Sequence, residues 1–300
     1  MAAIYAIGCD KKNGALTVKT TWEDSTASSS LVSGSTGFCS IEAYGRNLLV
    51  GTCPEKKRLD IYDVSAGGTE LEDKGWLEVK LAYTTVSGFS VAGVPHVVAY
   101  EPKAGTFEFF HVARDLTLKS VYSYSKTYGS VTTDFTTVEA YEYQGEMLLL
   151  GYNSANGDVK VYRLQVTAFE PLTMRCVWSK DWSPGWVRFS FFKLGKENFF
   201  LKSNIRHKTV YIDHVNDDAS TGSRPVGRHL PLPLDLSIVQ TFEVAGCVRF
   251  MAYRESGEAV INRLHTDCQG WTEELMFTAK DHAVCAVPLS QGEECFLFMY

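Results

Sequence analysis

Six short apolar runs recur along the chain: LLVGT (48–52), HVVAY (96–100), LLLGY (148–152), FFLKS (199–203), RFMAY (249–253) and FLFMY (296–300). Their last residues are separated by 48, 52, 51, 50 and 47 positions. A period near fifty marks a repeat architecture, and it limits the fold more tightly than any other feature of the chain. Each run lies in a unit of strand-like stretches. In residues 88–123 these read GFSVAG, VPHVVAY, GTFEFFHV and LTLKSVYS, and in residues 134–179 DFTTVEAYEY, MLLLGY, DVKVYRL and LTMRCVWS. The connections are of hairpin length and built from Gly, Pro and polar residues. Runs rich in β-branched and aromatic residues, with no helical period over any long window, predict an all-β protein. Four strands per unit predict propeller blades. The six runs therefore predict a six-bladed β-propeller of four-stranded antiparallel blades, forming a single domain over residues 1–300.

The ends of the chain predict how the ring closes. The last unit starts at HAVCAVPL and stops after FLFMY with two strands, while the first stretches, AIYAIGC and ALTVKTTW, match the second half of a blade. Residues 3–22 are expected to complete the blade begun at 282–300, removing a free sheet edge. Two stretches depart from the pattern. Residues 22–36 are rich in Ser, Thr and Gly, and residues 216–235 hold three prolines, which predicts an irregular outer strand there.

The stretch WSPGWVRFSFFKLGKENFFL (182–201) resembles the tryptophan-containing repeats of tectonin-like and other lectin-like propellers. It occurs in one unit of the six. The resemblance implies a propeller fold and a carbohydrate ligand.

Composition narrows the partners. A net charge of −6 lacks the basic face that phosphate binding needs, so no nucleic-acid partner is expected. No apolar run approaches the length of a membrane span, and no polybasic block suggests a membrane surface. The N-terminus has no basic segment followed by a long apolar stretch. The eight cysteines show no CxxC spacing and no paired histidine. They read as reduced thiols in a cytoplasmic, monomeric protein, with a secreted chain already trimmed of its signal as the alternative.

In a propeller the loops leading into each blade's first strand share one face, where ligands bind. Carboxylates recur there at Asp134, Asp181, Asp235 and Asp281. Their two chemical uses are general acid–base work and a channel calcium, the latter less favoured because no D-x-D-x-D-G loop exists; no metal or cofactor is expected. His282 follows Asp281 and adds a proton-transfer group. Trp182 and Trp186 flank SPG and offer flat stacking faces, and Arg188 offers an electrophilic donor. Tyr128, Lys126, Phe38 and Phe89 complete the candidate lining. Nucleophile-elbow, zincin and phosphate-loop motifs are absent.

The six mouths read STGF, VSGF, TTDF, SPGW, PLDL and AKDH. A multivalent lectin repeats its contact residues in each blade, whereas these have diverged. The divergence favours one pocket at the channel mouth and a cofactor-independent enzyme of lyase, isomerase or cyclase type. Fungal cyclases that promote hetero-Diels–Alder additions are one group such a chain resembles. A carbohydrate-binding lectin and a protein-interaction propeller are the alternatives.

Overall fold

The computed structural model describes residues 5–10, 16–21, 37–64, 71–125, 134–166, 172–204, 209–215, 221–225, 230–231, 236–244, 246–254, 256–278, 286–291 and 294–299. All regular elements among them are β-strands, as the alternating, helix-free pattern requires.

The chain is an all-β propeller of four-stranded antiparallel blades. One blade runs β3 (Gly37–Ala43), β4 (Arg46–Cys53), β5 (Arg58–Val64) and β6 (Leu71–Glu78). The next runs β7 (Thr85–Val91), β8 (Val94–Glu101), β9 (Thr106–Val112) and β10 (Leu118–Tyr124). A third comprises β11 (Thr137–Tyr143), β12 (Glu146–Tyr152), β13 (Asp158–Gln165) and β14 (Thr173–Asp181). The fourth holds β15 (Trp186–Leu194), β16 (Glu197–Asn204) and β17 (Thr209–Val215), with its outer edge split between β18 (Thr221–Pro225) and β19 (Leu230–Pro231). The fifth runs β20 (Leu236–Val244), β21 (Cys247–Arg254), β22 (Glu258–Leu264) and β23 (Trp271–Thr278).

Where the sequence suggests six blades, the structure shows five made of consecutive strands. A further sheet draws on both ends of the chain, in the order β2 (Leu16–Thr21), β1 (Tyr5–Asp10), β25 (Glu294–Met299) and β24 (Ala286–Gln291). In it β1 pairs antiparallel with β25, from Tyr5 opposite Met299 to Asp10 opposite Glu294. The split outer edge of the fourth blade has the cause read from its prolines: Pro lacks the N–H a continuous ladder needs.

By its contacts the chain divides into two compact units, one carrying β3–β14 and the other β1, β2 and β15–β25. In the first unit β3 lies beside β7 and β7 beside β11; in the second β15 lies beside β20 and β20 beside β24. First strands thus neighbour first strands. The approach is close enough that a Cβ on Gly88 would sit 2.2 Å from the Ser40 carbonyl oxygen, so β7 needs glycine at that point.

Burial explains why the period is legible. The second strands β4, β8 and β16 are buried along all but their first residue, so neither face of these strands meets solvent. Such strands are written as unbroken apolar runs. The fourth strands β6 and β23 alternate half-buried and exposed positions and carry a weaker pattern. The pairing of third with fourth strand slips by one residue at Ile61/Tyr62, Ser120/Tyr122, Val161/Tyr162 and Ile261/Asn262. A bulge at the same place in four blades adds the twist that the outer strand needs.

Polar bonds also repeat between blades. Ser87 on β7 accepts the backbone N–H of Ala140 on β11 at 3.0 Å. Ser190 on β15 accepts that of Thr241 on β20 at 2.9 Å, and its hydroxyl lies 2.6 Å from the Thr241 hydroxyl. Counted back from the first hairpin, Ser87 and Ser190 occupy the same position, as do Ala140 and Thr241. A buried small hydroxyl on one blade therefore satisfies a first-strand N–H of the next.

Candidate functional site

The loop end of each first strand was the face singled out by sequence. Five of the candidates, Lys126, Tyr128, Asp235, Asp281 and His282, lie outside the described residues. The structure locates the remaining seven; of these Asp181 is exposed at the end of β14, opposite Asp158.

Asp134 precedes β11 and is exposed, with φ at 76°. The left-handed backbone region is one that Asp adopts more readily than most residues. The next residue, Phe135, is buried and donates its backbone N–H to the Tyr100 hydroxyl at 3.1 Å. Burial pushes the Tyr100 phenol up to about 12, while the Phe135 and Asp134 N–H groups pull it the other way. At the same position of the third blade, the Tyr152 hydroxyl donates to the Ser183 carbonyl at 2.8 Å. A tyrosine ending the second strand thus holds the segment that leads to the following blade.

Trp182 is half-buried behind that brace. Its backbone N–H donates to the Gly157 carbonyl at 2.8 Å, and its ring lies 5.7 Å from Tyr152 and 6.3 Å from Trp178. Trp186 and Arg188 stand on β15 on either side of a register slip, opposite Asn204 and Ser203. Trp186 is buried and Arg188 exposed.

Phe38 and Phe89 are not equivalent, although the STGF and VSGF stretches suggest that they are. Phe38 pairs with Gly51 near the start of β3, whereas Phe89 pairs with His96 close to the β7–β8 turn, at the far end of its strand. Both are buried. The VSGF mouth (86–89) is strand throughout, since β7 begins at Thr85. The aromatic alternation in the sequence does not reveal this offset, because either register buries a phenylalanine.

The structure adds a cluster that the sequence reading did not include. Lys202 on β16 and Asp213 on β17 are 6% and 2% exposed, with Nζ 2.5 Å from the Asp213 carboxylate. The ammonium lies 4.6 Å from the Trp186 ring centroid, 5.6 Å from Phe200 and 5.9 Å from Tyr211. The Trp186 and Tyr211 rings meet edge to face at 5.1 Å. This is an ion pair inside an aromatic box, a setting in which cation–ring attraction is strongest.

Counting from the first hairpin of each blade, Lys202 falls where the other blades have Gly51, Ala99, Gly151 and Ala252. At Gly51 and Gly151 the space a side chain would take is filled by the Phe38 and Phe135 rings. Asp213 falls where the others have Tyr62, Phe110, Tyr162 and Asn262. Two charges thus replace residues that are uncharged in four other blades. The signal was present in LKSN (201–204) and YIDH (211–214), but only the strand register shows that these positions match small and neutral ones. Among the described residues, no group of three or more His, Cys, Asp or Glu side chains is placed to hold a metal ion.

Solved structures with the same arrangement of strands decide the fold. A proposed 6-phosphogluconolactonase from Bacteroides fragilis superposes with a TM-score of 0.57 at 10% identity, covering 95% of this chain and 84% of that one. A protein from Lactobacillus plantarum gives 0.51 at 11% identity, covering 93% and 83%. An exo-β-1,3-galactanase from Phanerochaete chrysosporium gives 0.53 at 8% identity, covering 87% of this chain and 59% of that one. The chain is a β-propeller. At these identities the likeness reaches the fold and no further. No protein-family profile matches the chain, and no curated protein is similar to it in sequence. No helix among the described residues is long and apolar enough to cross a membrane.

Proposed function

We propose that this protein binds a small polar molecule at a single asymmetric site at the loop end of the β15–β17 blade and acts on it without a cofactor. The reaction class is that of a lyase, isomerase or cyclase. One observation carries the reading: of five blades built on one plan, a single blade replaces a small residue and a neutral residue with the buried Lys202–Asp213 pair. Desolvating two charges costs several kcal/mol per ion, so such a pair is poor evidence for stability and better evidence of a local requirement. Trp186 covers the ammonium, and the exposed Arg188 stands beyond the register slip on the same strand. In this reading Arg188 polarises a carbonyl or pairs with a carboxylate, Trp186 supplies a stacking face, and Asp235, Asp281 and His282 supply polar and proton-transfer groups.

The names of two fold-similar proteins, a phosphogluconolactonase and a galactanase, support a sugar-derived or similarly polar ligand. A lectin is the second reading, favoured by the tryptophan-containing 182–201 stretch.

A thermal-shift screen of small carbonyl- and carboxylate-bearing compounds, run beside a glycan array, tests the proposal. The expected result is a stabilising compound whose effect disappears in Arg188→Ala, an exposed position. Binding of glycans at several sites per chain overturns the single-site enzyme in favour of the lectin. Stabilising compounds that bind Arg188→Ala as well as the wild type remove the site.

A further inference from the structure

Away from that blade, at the hairpin ends of the first unit, two histidines face each other. His96 on β8 and His111 on β9 are cross-strand partners with ring centroids 5.9 Å apart. His96 is 3% exposed and stacks on Phe89 at 5.6 Å and 13°. Its Nδ1 lies 2.8 Å from the Val94 carbonyl oxygen. A carbonyl only accepts, so Nδ1 carries the proton and Nε2 is the basic nitrogen.

The neighbouring blade reaches this pair through Tyr44, on the β3–β4 turn. The Tyr44 hydroxyl donates to the Val112 carbonyl at 3.0 Å and lies 3.4 Å from His111 Nε2. The Arg114 guanidinium sits 5.8 Å from the Tyr44 ring centroid. The groups around the pair are Phe89 from β7, Tyr44 from the β3–β4 turn, over whose ring Arg114 lies, and Lys119, opposite His111 on β10. None of them is negative at neutral pH, so a second positive charge meets no partner.

We propose that the His96–His111 pair is an acid-operated latch on the Tyr44 contact that ties the β3–β6 blade to the β7–β10 blade. A proton taken from solvent by His96 Nε2 places an imidazolium in an apolar setting beside a second histidine. The half-buried His111 is the member free to swing towards water, and it takes with it the ring against which the Tyr44 hydroxyl rests. Burial, then His111, hold the His96 imidazole below its usual range, while its bond to Val94 opposes them. The unfolded chain thus binds this proton more readily than the native one. Stability from this group is present above the ordinary histidine value of about 6.5 and is lost as pH falls below it.

The test is thermal unfolding and hydrogen exchange from about pH 7.5 to about pH 5.5, the range in which histidine changes charge. A tenfold reduction in His96 proton affinity should lower the wild-type midpoint by about 2–4 °C over this range. Exchange should quicken in peptides spanning 43–46 and 110–114 before it does elsewhere. His96→Phe keeps the ring stack and removes the titration, so its midpoint should not change over the range. His96→Gln is the second variant should the first not fold, and NMR titration of His96 in the wild type needs no variant at all. The proposal fails if the variant retains the full acid-dependent fall, if His96 titrates at or above the ordinary value, or if exchange quickens uniformly.

Discussion

Lys202 Nζ and the Asp213 carboxylate meet at 2.5 Å on adjacent strands, in positions that other blades fill with small and neutral residues. Each charge is tolerable only because the other is there. Replacing one member of such a pair costs about 3–5 kcal/mol, since the survivor is left uncompensated, whereas replacing both with apolar groups is often neutral or stabilising. Lys202→Met alone should therefore destabilise by about that amount, and Lys202→Met with Asp213→Leu should recover most or all of it in denaturant titration. If a compound found in the ligand screen binds the recovered double variant unchanged, the pair has no part in the site.

The inter-blade serines predict a smaller, repeated effect. Ser190→Ala removes the acceptor of the Thr241 N–H and the partner of its hydroxyl, at a buried position. Leaving a buried donor unmet costs about 1–3 kcal/mol. Ser87→Ala should behave alike in the other unit through Ala140. The two losses lie at distinct junctions and should add in the combined variant.

Several phenols are held above the ordinary tyrosine range near 10 by burial: Tyr62, Tyr83, Tyr141 and Tyr162, with Tyr100 up to about 12. Tyr83 is held further by Glu108, to which its hydroxyl donates. A phenol raised in the folded state favours folding below its unfolded value, and that contribution is lost as pH rises above about 10. Ultraviolet titration should show an early phase from exposed tyrosines and a late phase that coincides with alkaline unfolding. A single phase complete before the circular dichroism changes would contradict the burial of these rings.

Gly88→Ala should be costly for its size. The new methyl group would meet the Ser40 carbonyl at 2.2 Å, so β3 and β7 must part. Overpacking of this kind costs about 1–3 kcal/mol. Gly93→Ala, where nothing lies within 4 Å but φ is positive at 76°, separates backbone strain from crowding when both midpoints are compared.

Removing residues 1–21 takes away β1 and β2 and leaves β25 with an unpaired edge. Open edges template association. The shortened chain should show a lower unfolding midpoint and concentration-dependent aggregation by light scattering. If it matches the intact protein in both, the terminal sheet does not contribute as the sequence reading expects.

The second strands were legible because LLVGT, HVVAY and FFLKS are buried on both faces and so cannot vary in polarity. The prolines of 216–235 likewise foretold a broken outer strand, since the missing N–H is a property of the residue itself. The candidate site was less legible. Asp134 and Arg188 lie at exposed positions near first strands, as their loop-end places in the sequence suggest, whereas Phe89 lies at the hairpin end of β7. Lys202 by itself gives no signal in the sequence, because a lysine near the end of a strand ordinarily reaches water and only its neighbours show that this one does not.

What the sequence determined by itself was the strand content and the fifty-residue period, because these follow from local pattern and from which faces must be apolar. What only the tertiary structure decided was register. The pairing of Phe89 with His96, of Phe200 with Asp213 and of Ser190 with the Thr241 N–H depends on how strands and blades are offset. A hydrophobic pattern is nearly indifferent to a shift of two residues, whereas a hydrogen bond or an ion pair, with its reach of about 3 Å, is not.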